Sequence, residues 1–330
     1  MKSKEIGARL QEVQDFLIEE YKLNRPEKKR DWRTYEQRLM TRLREGIRHL
    51  EPLIEEATSI IKVHRGKGRK PVLSLKQKLT LLLLKGLVEK SNRSMASMLT
   101  LFSLLSEVDV SYKTIERLYS DPEVELALYN LHMLIMRKKK VNTVDASGDG
   151  TGYALTISKH YASETKKGRD KAKNADSHKK KVFVYTFKLL DLATRLYVCY
   201  GMSLHSEKAA FDRAMEMLRR TGVSIGSVRL DRYYSFPSYI DRFENARVYI
   251  IPRKNSTLKG SRHWKETMRD FVYNTHQYLG QYYLRNNSEA EFSADKRRLG
   301  WNIRQRREDR INTAMCSINT WHNLFYLYTP

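Results

Sequence analysis

Cysteine is nearly absent from this sequence: Cys199 and Cys316 are the two among 330 residues, one in a strand-like stretch and one in a helix-like stretch. Two isolated thiols make neither a zinc site nor a disulfide framework, and such usage fits a reducing cytoplasm. The nine histidines are scattered without HxH or HxxxH spacing, so no histidine-based metal site is expected. Long apolar runs are missing as well. The longest purely aliphatic run, Leu81 to Leu84, falls far short of the ~20 residues that span a bilayer. The opening residues, MKSKEIGARL, carry no hydrophobic region of the secretory kind, so neither membrane attachment nor export is expected. Acidic residues are outnumbered: 38 Asp and Glu face 62 Lys and Arg, a formal net charge of +24. With 30% charged and 41% hydrophobic residues, the chain reads as globular, large enough for two or three domains, and suited to a polyanionic partner, nucleic acid first.

Helical periodicity dominates the first 137 residues. GARLQEVQDFLIEEYKL spaces Leu10, Val13, Leu17, Ile18 and Tyr21 as a helix that Asn24-Arg25-Pro26 ends. A second helix is expected from about Trp32 to Ile61, interrupted near Glu51-Pro52. A Gly-punctuated basic arm follows, KVHRGKGRKP, in which Arg65, Lys67 and Arg69 suit either a plain linker or a narrow minor groove. LSLKQKLTLLLLKGLVEK, SMASMLTLFSLL and the Ser111-capped YKTIERLY then read as three helices. The last of them carries Lys113, Thr114, Arg117 and Tyr119, as the reading helix of a helix-turn-helix does, although an ordinary bundle would look the same.

After Arg137-Lys138-Lys139-Lys140 the pattern turns to strands. VNTVDASGDGTGYAL is a Gly-rich first strand bearing Asp145 and Asp149, followed by a loop with nine Lys and Arg against three acids. That loop suits either solvent or a DNA backbone. VFVYTFKLLDLATRLYVCYGM is a hairpin, and SEKAAFDRAMEMLRRTG is a helix with Ser206 as cap and Gly222 as stop. VSIGSVRLDRYYS is a fourth strand ending at Asp231, PSYIDRFEN a short helix, and ARVYIIP a fifth strand. A long helical stretch begins near Trp264, and a last helix covers about Arg307 to Leu327. The division expected is 1–70, helical with a basic arm; 71–137, helical, with a candidate helix-turn-helix for DNA; and 138–330, mixed α/β.

The chemistry concentrates in QYYLRNNSEAEFSADKRRLGW, residues 281 to 301. On one α-helix, Tyr282, Arg285, Glu289 and Lys296 fall within about 60° of arc, while Glu291 and Asp295 point about 160° and 120° away from Glu289. An exposed face of i,i+4 ion pairs would give the same stripe. The spacing, however, is Tyr, two residues, Arg, three residues, Glu, six residues, Lys. It resembles the signature of bacterial and archaeal insertion-sequence transposases of the DDE type, which have an RNase H-like catalytic core. The order of elements resembles that fold too, strongly over residues 141 to 325 and weakly before.

The resemblance implies an RNase H-like mixed sheet flanked by helices, preceded by an all-α DNA-binding region. It implies three metal-binding acids: Asp231 just after the fourth strand, Glu289 on the helix after the fifth, and one on the first strand. Asp149 is preferred for the last, because Asp-Gly-Thr resembles a family motif and its glycines would admit a DNA backbone. Asp145 is the alternative, about 13 Å along the same face, and the two cannot serve one ion pair together. Two Mg²⁺ ions, with Mn²⁺ as substitute, suit an all-oxygen donor set. Arg285 and Lys296 would hold DNA phosphates, and Tyr282 would contact the bound strand. His205 and Glu207 are expected to be structural, and Trp264 and Trp301 to be core or base-stacking residues. Only 58 positions, 289 − 231, separate the last two acids, which leaves no room for the β-rich insertion some relatives use to handle DNA hairpins. The implied partners are double-stranded DNA, as element ends and target, and a second copy of the chain, in a nucleoid-associated prokaryotic setting. Two other readings stand beside this one: a DNA-binding regulator with an inactive core, and a non-transposing nuclease of the same fold.

Overall fold

Local sequence sets the helix boundaries in the first part of the chain. Asp31 opens α1 (Trp32–Arg48), its carboxylate accepting from the Thr34 amide at 3.1 Å. The break before α2 (Leu50–Ser59) falls at His49 rather than at Pro52. Pro52 lies in the first turn of α2, where its missing N–H is not needed. Ser74 and Gln77 cap each other's backbone at the start of α3 (Leu75–Leu87). Ser111 caps α4 (Tyr112–Leu118), and Asp121-Pro122, which closes that helix in sequence, also starts α5 (Pro122–Lys138). This computed structural model describes residues 31–62, 72–88, 110–155, 183–243, 245–254 and 256–328, with residues 8, 12, 16, 20, 23 and 103 besides. The basic arm with Arg65, Lys67 and Arg69, the expected helix SMASMLTLFSLL apart from Ser103, and the basic loop after the first strand lie outside the described residues.

The sheet is mixed. β1 (Thr143–Leu155) pairs antiparallel with β2 (Phe183–Asp191), which pairs antiparallel with β3 (Tyr197–Ser203) across a turn whose Arg195 has φ 64. The chain then crosses over through α6 (Glu207–Thr221), capped by Ser206 and stopped by left-handed Gly222. β4 (Ser224–Leu230) returns parallel to β1. A 3₁₀ turn (Arg232–Tyr234) and the short α7 (Pro237–Ile240) lead to β5 (Arg247–Tyr249), parallel to β4. The strand order is β3-β2-β1-β4-β5.

Two helices, α8 (Arg262–Tyr273) and α9 (Thr275–Tyr282), precede a 3₁₀ turn (Tyr283–Arg285) and α10 (Asn286–Leu299). The single helix expected over 281–301 is therefore tightened at 283–285, where it packs on β1 and β4. Tyr282, Arg285 and Asn286 all keep right-handed helical angles, so the chain direction carries through. β6 (Asn302–Ile303), which periodicity is too short to reveal, pairs parallel with the end of β1.

Helices cover both faces of the sheet. Phe187 stacks edge-on against Phe211 of α6 on one face, while its neighbour Lys188 reaches α10 on the other, as strand alternation requires. The last helix, α11 (Glu308–Leu327), is buried along most of its length. It holds the α-helical part and the sheet together. Fully buried Trp321 donates Nε1–H to the Leu83 carbonyl of α3 at 2.7 Å. On its other side, Asn323 accepts from the Tyr197 amide at 2.7 Å and donates to the Tyr197 carbonyl at 3.0 Å, taking the place of a strand partner at the edge of β3. The apolar core runs from α2 through β1–β5 to α11, and each buried Leu, Ile or Phe in it contributes about 1.5–3 kcal/mol. No helix among the described residues is long and apolar enough to cross a membrane.

Candidate active site

Three carboxylates from three elements meet one guanidinium. Asp149 extends from β1, Asp231 caps the 3₁₀ turn after β4, and Glu289 stands on the first turn of α10. One terminal nitrogen of Arg285 lies 3.4 Å from Asp149, 3.1 Å from Asp231 and 2.8 Å from Glu289. The sheet explains the meeting, since β1 and β4 are parallel neighbours and Gly148 is in register with Leu230, the residues just before the two aspartates. Asp231 is fixed further by accepting from the Tyr233 amide at 2.8 Å. On α10, Ser288 and Ser147 join hydroxyl to hydroxyl, and Ser147 also donates to the Arg285 carbonyl at 3.3 Å, pinning the helix start to β1.

The environment of Asp149 is hostile to its charge. Burial pushes its carboxyl up to about 7; Arg285 and the Gly150 amide oppose the shift, while the charges of Asp231 and Glu289 add to it. A pair of negatively charged neighbours around a half-enclosed aspartate calls for a cation, and Arg285 supplies one. Among the described residues, no group of three His, Cys, Asp or Glu side chains is closed tightly enough to hold a metal ion as it stands.

Asp145 lies elsewhere. It is two-thirds exposed, hydrogen-bonded by Ser227 and 3.8 Å from Arg229, which itself holds Gln281 of α9. Lys296 is half-buried and donates to Thr151 at 2.6 Å, with its ammonium 5.2 Å above the Tyr153 ring and 5.5 Å from that of Trp301. Burial lowers the Lys296 ammonium below the ordinary lysine value. Tyr282 is buried in a small aromatic cluster with Tyr249, Phe271 and Tyr278, its ring 5.7 Å from the Arg285 guanidinium. Lys113 and Arg117 are exposed on α4. Trp264 is buried, with Nε1–H donated to the Thr257 carbonyl, whereas Trp301 is exposed. Glu207 accepts from the Tyr234 hydroxyl, which ties the start of α6 to the turn that carries Asp231. Gly148 and Gly150 point away from Asp149: a Cβ on either would strike Phe187 and Leu230, or Glu207 and Tyr234. Their smallness serves the packing of the opposite face.

Sequence reasoning passed over several residues that build this region. Thr151, two residues beyond Asp149, shares its face, so strand alternation could have found it. Asp295 could not have been found that way. It is fully buried on the inner face of α10, accepting from Lys188 at 3.3 Å and Tyr197 at 2.7 Å, with His322 at 2.8 Å. These partners come from β2, β3 and α11, and nothing in the helix pattern names them.

No family model matches the chain. It is 42% identical, over 318 residues, to a protein of Archaeoglobus fulgidus described as a probable transposase for insertion sequence element ISA1214. The match covers 96% of this chain and 94% of the relative. Identity at that level across nearly both full lengths means that this chain belongs to the insertion-sequence transposases.

Proposed function

We propose that this transposase is of the DDE type, with Asp149, Asp231 and Glu289 as its three acids on an RNase H-like core. The observation that carries the reading is the convergence of these carboxylates, from three separate elements, on the single cation of Arg285. The strand order supports it, resembling that fold with an acid on the first strand, one after the fourth and one on the helix after the fifth. The donor set fits two Mg²⁺ ions, or Mn²⁺ in their place, because all three groups offer hard oxygens and the site already gathers a positive charge. Bound there, the ions would supply activation of an attacking oxygen and stabilisation of a leaving one.

The protein's own groups do the rest. Lys296, held by Thr151, and Arg285 present cations to the phosphates of a DNA strand laid across β1. Ser147 and Ser288 hold the start of α10 on β1, and so fix where Glu289 stands. The excess of basic residues draws the double-stranded ends and target DNA to the surface, with Lys113, Arg117 and the arm bearing Arg65, Lys67 and Arg69 as further contacts. The reaction is hydrolysis at the ends of the mobile element followed by transfer of the 3′ hydroxyls to target DNA, carried out by a homodimer pairing two ends in the nucleoid.

Arg285 cannot neutralise the carboxylates and hold a phosphate at once. Arg285→Ala should therefore bind Mn²⁺ more tightly than the wild type without DNA, as read by electron paramagnetic resonance, yet process DNA more slowly. Equal or weaker Mn²⁺ binding by the variant would remove Arg285 from this role. The function itself is tested by Mg²⁺- or Mn²⁺-dependent nicking and strand transfer on DNA carrying the sequences that flank the gene. Glu289→Gln should abolish both while keeping or raising DNA affinity, since it removes a ligand and a negative charge together. Tight binding without cleavage by either protein, at saturating metal, would favour the regulator.

A further inference from the structure

The turn that presents Asp231 also opens a cleft that the three acids do not use. Its volume is about 690 Å³, within the ~300–1,000 Å³ usual for small-molecule sites, and no carboxylate of the described residues lines it. Arg232, Arg253, Lys254 and Lys259 make it basic, and none of the four has an ion-pair partner among the described residues. Tyr233 and Phe236 also line it, 43% and 42% exposed, which is unusual for large rings beside a well-packed core. Arg253 stiffens the wall: its guanidinium lies 4.1 Å over the Phe236 ring and donates to the Tyr233 carbonyl at 2.8 Å. Ser235, on the same lining, is 2% exposed, and its hydroxyl has no hydrogen-bond partner among the described residues.

We infer that this cleft takes one unpaired nucleotide of a DNA strand beside the cut. The Tyr233 ring and the stacked Phe236–Arg253 pair can meet a base only when it is out of its pair, and the lysines and Arg232 match the phosphates on either side. The Ser235 hydroxyl supplies a polar contact for the sugar or the base edge, which satisfies a group otherwise left bare. The link to the acids is covalent and short. The Tyr233 amide holds the Asp231 carboxylate while the Tyr233 ring faces the cleft, so one turn positions an acid and a stacking surface together. The inference rests on the chain's acting on DNA, as proposed above.

The test compares a blunt mixed-sequence duplex with the same duplex ending in a short single-stranded tail, in Ca²⁺ to prevent cutting. The wild type should bind the tailed probe about tenfold more tightly, the scale of one stacked base. A 2-aminopurine in the tail should lose fluorescence on binding. Phe236→Leu, which keeps apolar bulk at an exposed position, should reduce both differences, and Tyr233→Ala with Phe236→Ala should abolish them. Equal affinity for both probes in the wild type, or a preference unchanged in the variants, would overturn the cleft while leaving the DNA reading intact. Binding of neither probe would overturn the DNA reading itself, and the cleft with it.

Discussion

Asp149→Asn is expected to slow metal-dependent strand nicking by about 10³-fold or more, and Asp145→Asn to leave it near the wild-type rate. A carboxylate that holds a metal acting on both the entering and the leaving oxygen contributes several kcal/mol to the barrier, at about 1.4 kcal/mol per tenfold. The difference between the two aspartates is geometric. Asp149 is one of the three carboxylates around Arg285, whereas Asp145 is tied to Ser227 and Arg229 and is largely exposed. Single-turnover nicking on flanking DNA, with binding measured in parallel, separates loss of chemistry from loss of affinity. A loss in Asp145→Asn as great as that in Asp149→Asn would reassign the first acid.

The second large effect lies behind the site. Asp295→Ala should cost about 3–5 kcal/mol of stability in urea denaturation, because it strands the Lys188 ammonium in a dry interior. Both side chains are fully buried. Burial alone would raise the Asp295 carboxyl; His322 and Lys188 outweigh it and hold the group below the usual carboxylate range. Adding Lys188→Met to Asp295→Ala should recover part of the loss by removing the unpaired charge. A cost under about 1 kcal/mol for the single change would mean that water reaches Lys188 freely. The same anchor fixes the rotation of α10, with Asp295 turned inward to β2, β3 and α11 and Glu289 turned to β1.

Strands β1 to β5, the crossover helix with its Ser206 cap and Gly222 stop, and their order were legible because each is written in a local pattern of alternation, periodicity or capping. So was the spacing from Tyr282 to Lys296. Three things were not. The 3₁₀ turn at 283–285 lies against β1 and β4, and a helical wheel contains no sheet. The different surroundings of Asp145 and Asp149 were not legible either: both lie on one face of β1, yet Asp149 meets Arg285 while Asp145 meets Ser227 and Arg229. The anchor at Asp295 joins residues 107 and 98 positions apart, beyond any window used to read a helix. The cleft after Asp231 had a visible signal, Arg-Tyr-Tyr followed by Phe236, but its basic wall comes from a loop some twenty residues later.

Finally, the place of α11 between the early helices and the edge of β3 has a consequence in time. On the ribosome, β3 emerges about 105 residues ahead of α11, and at about 5–20 residues per second the interval is roughly 5–20 s. Throughout it, the outer backbone of Tyr197 lacks the Asn323 amide that later covers it, and the Leu83 carbonyl lacks Trp321. An uncovered strand edge beside apolar helices is a ready template for pairing with another nascent chain. Each newly made molecule thus passes through a window in which that edge is open to pairing with a neighbouring chain, and synthesis of the last helix closes it.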